Sequence, residues 1–195
     1  MRPSKRDELV HKALQAFYRN GFHATGMDML VAETGISKTS MYKHFRTKED
    51  LILAVLRLRD EIFRNRVYRR IEELADTPRD QLIAMFDELQ EWFEDPDFRG
   101  CMFVKASSEY QDRDHPIHKQ SAEHKRMLET HFAGLARAAG LAQPEQLARQ
   151  LLLLAEGAIV TAHLKHTESP AHDAKQAALA LVSAHENKLE PVTLK

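Results

Sequence analysis

The chain is expected to fold as an all-α protein of about nine helices. Three observations carry this. Apolar residues recur at three- and four-residue spacing through most of the 195 residues, while alternating strand patterns are almost absent. Prolines stand mainly at helix starts, where the missing N–H costs nothing. Ser or Thr precedes several periodic segments, and Gly closes others. A chain of this length can bury a substantial core as one compact unit or two smaller ones.

Ser4 opens the first helix, with Asp7 following as its partner. Leu9, Ala13, Leu14 and Phe17 form its apolar stripe, Gly21 ends it, and its start is basic through Arg2, Lys5 and Arg6. The stretch TGMDMLVAETGISKTSMYKHFRTK, residues 25–48, then organises the chain. Thr25 is placed to cap a short helix in which Met27, Leu30 and Val31 share a face, with Asp28 as a capping-box partner. Gly35 suits the left-handed residue that ends such a helix, Ile36 plugs the corner, and Ser37 caps a second helix over residues 38–44. Two short helices around a glycine turn are a helix-turn-helix.

Thr47 caps a long helix running to about Ala75, with Leu51, Val55, Leu58, Ile62 and Ile71 on its inner face. Its arginines, Arg57, Arg59, Arg64, Arg66, Arg69 and Arg70, read as a solvent-facing set. Thr77-Pro78 opens a helix bearing Leu82, Met85, Phe86, Leu89, Trp92 and Phe93, which stops before Pro96. Gly100 introduces a short helix carrying Cys101, Met102, Phe103 and Val104, and QDRDHP is a connector. A helix from about His115 to Ala139 follows, closed by Gly140. Pro144 opens the most apolar helix, whose Leu, Ala, Ile and Val residues from Leu147 to Leu164 cover nearly its whole circumference and call for burial on all sides. Ser169-Pro170 starts a last helix of mostly small apolar residues. A closed monomeric core would cover these last two helices. A two-fold dimer in which they pack on their copies as a four-helix bundle is the simpler solution, with Leu152, Ala155, Ile159, Ala162, Ala174, Ala177, Ala178, Leu181 and Ala184 at the interface.

Net charge is −1, but it is unevenly spread. Residues 1–70 hold 15 Lys/Arg against 8 Asp/Glu, and the remainder hold 13 against 21. A basic first third suggests a local polyanion site. The helix over residues 38–44 fits one: Lys38, Thr39, Ser40, Tyr42, Lys43 and His44 present donors and no acid. Residues of this kind at a helix start read base edges in the major groove, with cations and hydroxyls on phosphates. The single cysteine, the polar N-terminus without a signal-peptide core and the absence of a ~20-residue apolar run point to the cytoplasm and away from a membrane. No nucleophile elbow, phosphate loop or dinucleotide fingerprint is present, so no enzyme, metal or cofactor is expected. Two weaker features remain. Cys101 is a candidate oxidant- or electrophile-sensing thiol, weighed against an inert buried cysteine. The pairs His115/His118 and His163/His166, with His124 and His131, are a conceivable metal set, although eleven histidines in acid-rich helices produce such pairs readily.

The segment GISKTSMYKHFRTKEDL resembles the signature of TetR-family transcriptional regulators, G-V-S-K-G-T-L-Y-x-H-F-x-S-K-E-x-L, through Gly35, Ser37, Lys38, Tyr42, His44, Phe45, Lys48, Glu49 and Leu51. Ala16, Phe17, Gly21, Phe22 and Thr25 match part of the pattern upstream. Thr39 departs from it, standing where many members have Gly, so an operator sequence does not carry over. The resemblance implies a helix-turn-helix DNA-binding domain over residues 1–47 and a helical effector-binding and dimerisation domain over residues 48–195. It implies a homodimeric repressor on a palindromic double-stranded operator, released by a small-molecule effector. Lys38, Thr39, Ser40 and Lys43 would face the groove, and Tyr42, His44, Thr25 and Lys48 would meet phosphates. A largely apolar effector would sit among Phe86, Leu89, Trp92, Phe93, Cys101, Met102, Phe103, Tyr110 and Phe132. The other readings are a regulator that senses through Cys101, a helical protein that does not bind DNA, and an enzyme.

Overall fold

The structure is a computed structural model that describes residues 4–186. Among these, nine helices form and no strand does: α1 (Lys5–Asn20), α2 (Met27–Thr34), α3 (Lys38–His44), α4 (Lys48–Leu74), α5 (Pro78–Phe93), α6 (Met102–Glu109), α7 (Pro116–Ala138), α8 (Pro144–Leu164) and α9 (Pro170–His185). The caps explain most of the boundaries. Ser4, Ser37 and Thr77 each accept a hydrogen bond from the amide three residues on. Thr47 and Asp50 exchange backbone-to-side-chain hydrogen bonds at the start of α4, a reciprocal capping box. Gly35 ends α2 at φ 68°, a conformation that favours glycine.

The described residues form two compact units. One runs to Arg66 and includes Cys101–Arg126; the other comprises Val67–Gly100 and the chain from Met127 onward. The functional division expected at residue 47 cuts the chain elsewhere than these units do. In the first unit Met102, Phe103 and Ala106 of α6 share a core with Leu9, Phe17 and Phe22, Leu30 of α2, Met41 of α3, and Leu51, Ile52 and Leu56 of α4. The helix-turn-helix therefore rests on α6 as well as on α1 and α4.

One pin inside the first unit was not foreseen. Asp60 of α4 and His124 of α7 are both buried, with Asp60 Oδ1 2.7 Å from His124 Nδ1, and Arg64 donates to both oxygens of the same carboxylate. Arg64 is thus partly buried rather than a member of a solvent-facing row. Burial pushes the Asp60 carboxyl up, but the hydrogen bonds from His124 and Arg64 outweigh it and hold the group at about 2.

In the second unit α8 packs on α9, and both pack on α5. Lys175 holds Asp87 at 2.6 Å, and Arg70 pairs with Glu91. The 21-residue α8 is long and apolar enough by length and composition to cross a membrane, a test that the core helix of a water-soluble protein also passes. It is not buried all round within the chain: Leu147, Leu151, Ala155 and Ile159 are covered, whereas Leu153 is 73% and Leu164 69% exposed. The residues expected at a two-fold interface divide in the same way. Ala155, Ile159, Ala174 and Ala178 are buried by the chain's own packing. Leu152, Ala162 and Leu181 are half-buried, and Ala177 and Ala184 are exposed.

Candidate nucleic-acid interface

The candidate surface is built from α2, its glycine turn and α3. Thr34 is buried and donates from Oγ1 to the Leu30 carbonyl, while the Ile36 amide donates back to Thr34 Oγ1. That exchange satisfies the corner, which fixes where α3 begins. Of the seven residues of α3 only Met41 is buried. Lys38, Thr39, Tyr42, Lys43 and His44 are exposed, and Ser40 is half-buried. Tyr42, at 48%, is among the largest apolar groups the chain leaves open. Lys38 Nζ lies 3.3 Å from Asp28 Oδ1 on α2, an exposed pair of little energetic weight that a phosphate can displace. The other lysine of α3, Lys43, is exposed on a helix without an acid, which is an electrostatic match for a polyanion.

Two residues expected to meet phosphates sit differently. Thr25 is fully buried and donates to the Gly21 carbonyl at 2.6 Å, and Gly26 takes the cap position of α2 instead. Lys48 Nζ turns inward and donates to the carbonyls of Phe22, at 2.9 Å, and Thr25, at 3.3 Å. Both side chains therefore hold the segment between α1 and α2. On the other side of that segment, Glu109 accepts hydrogen bonds from the amides of Phe22 and His23. Nothing in the local pattern of α6 announced this contact, because its partner lies 87 residues away in the chain.

The residues expected around an effector do not form a single lining within either unit. Phe86, Leu89, Trp92 and Phe132 are buried in the second unit, and Phe93 is half-buried there. Phe93, Trp92 and Phe98 make a mutual ring cluster with centroids 5.0–6.2 Å apart. Phe93 and Phe98 line an open cleft of about 410 Å³ that also meets Arg99, Ala162 and Lys165. Phe98 was missed because it lies outside any periodic segment. Met102 and Phe103 are buried in the first unit, where Phe103 stacks on His124 at 3.7 Å, and Tyr110 is half-buried there. Cys101 is half-exposed at the start of α6, with Lys125 Nζ 3.3 Å from its sulfur.

The histidines take other roles. His118 bonds to the Tyr110 carbonyl, His115 accepts from the Ile117 amide, and His131 stacks on Tyr68. Among the described residues no three His, Cys, Asp or Glu side chains converge as metal ligands do.

Comparison with known proteins agrees with this geometry. The family described as "Bacterial regulatory proteins, tetR family" matches residues 9–55, and "Tetracyclin repressor-like, C-terminal domain" matches residues 78–178. The chain is 42% identical over 55 residues to the HTH-type transcriptional activator FasR of Mycolicibacterium smegmatis, covering 28% of this chain and 25% of FasR. It is 34% identical over 84 residues to the HTH-type transcriptional repressor KstR2 of the same organism, covering 43% of this chain and 40% of KstR2. The chain thus spans well under half the length of either relative. Its fold is similar throughout to the crystal structure of SCO4454, a TetR-family transcriptional regulator from Streptomyces coelicolor. The TM-score is 0.84 at 26% identity, over 93% of this chain and 96% of that one.

Proposed function

The chain belongs to the TetR family of DNA-binding transcriptional regulators, and on that premise we propose that it is a cytoplasmic homodimeric repressor, not an enzyme, released from a palindromic operator by a small, largely apolar effector. One observation carries the DNA-reading part. A seven-residue α3 buries only Met41 and turns Lys38, Thr39, Tyr42, Lys43 and His44 outward from a corner held by internal hydrogen bonds. In this reading Lys38, Thr39, Ser40 and Lys43 face the major groove, and Tyr42 and His44 take phosphates. Thr25 and Lys48 contribute by holding the turn ahead of α2. Residues 1–47 read DNA, and residues 48–195 supply effector binding and dimerisation.

The exposed Leu153, Val160 and Leu164 of α8 support the dimer, because they form an apolar face that the chain leaves open on the side of α8 away from Ala155 and Ile159. The ring cluster of Trp92, Phe93 and Phe98 and the buried Phe86, Leu89 and Phe132 support an effector that binds largely through apolar contact. KstR2 is by name a repressor and FasR an activator, so of these two relatives KstR2 alone supports the repressor reading. The experiment is titration of the purified protein onto duplex DNA from upstream of its own gene, across a salt series. Tight binding to a palindromic segment with two subunits and a steep salt dependence is expected. Binding that ignores sequence on that segment and on duplexes selected from a random pool would overturn the reading.

A second reading is favoured by the Lys125 ammonium 3.3 Å from the half-exposed Cys101 sulfur. Here an electrophile adds to the Cys101 sulfur, forming a thioether, and DNA is released. N-ethylmaleimide would then dissociate the protein–DNA complex, and Cys101→Ser would bind DNA normally but ignore the reagent. Retention of DNA by the fully alkylated protein would exclude it.

A further inference from the structure

The segment from Phe22 to Thr25, between α1 and α2, is gripped from two sides by opposite charges. Its amides at Phe22 and His23 donate to the two oxygens of Glu109, the last residue of α6, with the Phe22 bond at 2.9 Å. Its carbonyls at Phe22 and Thr25 accept from the Lys48 ammonium at the start of α4. Four residues earlier on α6, Lys105 Nζ reaches the Tyr18 carbonyl near the end of α1 and lies 5.2 Å from the centre of the Tyr18 ring. An acid thus meets the free amides beyond α1, and a base meets its free carbonyls.

Several features bear on whether this is more than a surface contact. Phe22 is fully buried, so its amide has no water to turn to and needs a protein acceptor. Gly21 stands at φ 82°, and a Cβ there would come within 3.0 Å of Glu109 Oε1, so the glycine serves both the turn and the approach of the carboxylate. An acid is also the wrong residue for the end of a helix. The carbonyl end of α6 repels Glu109, and no base in its last turn compensates. A choice that is unfavourable for the helix but supplies two charge-assisted hydrogen bonds to another element is the kind of local inconsistency that marks function.

We propose that Glu109 is a positioning residue for DNA binding: from the end of α6 it fixes the Phe22–Thr25 segment and with it the placement of α2 and α3 on the operator. The inference rests on the helix-turn-helix reading DNA and adds to it a residue that lies outside the motif.

The test compares Glu109→Gln with Glu109→Ala on a duplex that the unaltered protein has selected from a random pool. Both variants remove the same negative charge, so any general electrostatic gain toward DNA is common to them. Gln keeps a carbonyl acceptor for one amide, and Ala keeps none. The Ala variant is expected to bind about tenfold more weakly than the Gln variant, with an unchanged salt slope because no phosphate contact is lost. Amide hydrogen exchange at Phe22 and His23, read without DNA, is expected to speed up in the Ala variant while circular dichroism stays helical. Equal affinity of the two variants would overturn the positioning role, and unchanged exchange at both amides would show that the clamp is not formed in solution.

Discussion

Asp60 and His124 meet where neither reaches solvent: Oδ1 and Nδ1 are 2.7 Å apart, and the residues are 6% and 2% exposed. The contact joins α4 to α7 inside the first unit. Arg64 completes it from the next turn of α4, and Phe103 of α6 lies flat against the imidazole. A buried carboxylate is costly unless its oxygens are taken up, and here both are. Three helices are thereby tied by one polar cluster in an otherwise apolar setting.

Removing one member should therefore cost far more than an average substitution. Asp60→Ala leaves Arg64 and His124 facing each other without the acid, and breaking buried charged pairs of this kind costs ~3–5 kcal/mol. Urea unfolding of the variant should show a lowered midpoint by that measure. A loss no larger than that of an exposed-site substitution would contradict the role.

The same carboxylate sets a pH dependence. Its folded-state value, about 2, lies below the unfolded value of 3.8. The unfolded chain therefore takes up the proton first as the pH falls. The stabilisation is complete above pH 3.8 and is lost on acidification toward about 2, amounting to roughly 2 kcal/mol. In Asp60→Asn this part of the acid destabilisation should be missing. Unfolding curves of equal steepness against pH in the two proteins would remove Asp60 from the account.

On the proposed reading Lys43 touches DNA and Lys48 holds what touches it. Lys43 is exposed on α3, and Lys43→Ala should flatten the slope of log affinity against log salt by about 1. Lys48 donates to two carbonyls inside the domain, so Lys48→Ala should weaken binding while leaving that slope nearly unchanged. Thr39→Ala should instead alter which sequence is preferred, by ~1–3 kcal/mol at a base pair. A Lys48 variant that lost a full unit of slope would return that residue to the phosphates.

What the sequence revealed and what it hid follow from one physical difference. Helices and their ends depend on neighbours a turn away, so Ser4, Gly35, Ser37, Thr47 and Thr77 marked boundaries that the structure reproduces. The outward face of α3 was readable for the same reason, since Met41 is its only buried residue. Contacts between distant segments left no such trace. Glu109 carries no local mark of its partner, and Lys48 reads as a phosphate contact beside a DNA-binding motif. Arg64 was one of a row of arginines until Asp60 and His124 gave it a buried partner. Thr25 is not the cap of α2 because the helix begins one residue later, with Gly26 at the cap position.

Trp92, the one tryptophan in the chain, would report binding of the proposed effector. It is 5% exposed and meets Phe98 edge-on at 5.0 Å. A compound that releases the operator by binding beside this cluster should shift or quench its emission over the same concentration range. Phe98→Ala should weaken both effects together. Release of DNA with no change in emission would place the effector elsewhere.

The proposed dimer turns on the open face of α8. Leu153, Val160 and Leu164 recur at helical spacing on one side and stay exposed in the single chain, while Ala177 and Ala184 of α9 are exposed as well. Small residues on α9 let a second helix pair approach closely, and leucines on α8 supply the apolar area that a standard interface of ~1,600 Å² needs. A charge at Leu153 would be buried without a partner in such a dimer but solvated in a monomer. Leu153→Glu, and more strongly Leu153→Glu with Leu164→Glu, should sediment as a monomer with unchanged helix content, since these side chains add nothing to the chain's own core. The monomer should also lose tight operator binding, because two recognition helices about 34 Å apart are needed to engage both half-sites. A double variant that still sediments as a dimer would move the interface off this face.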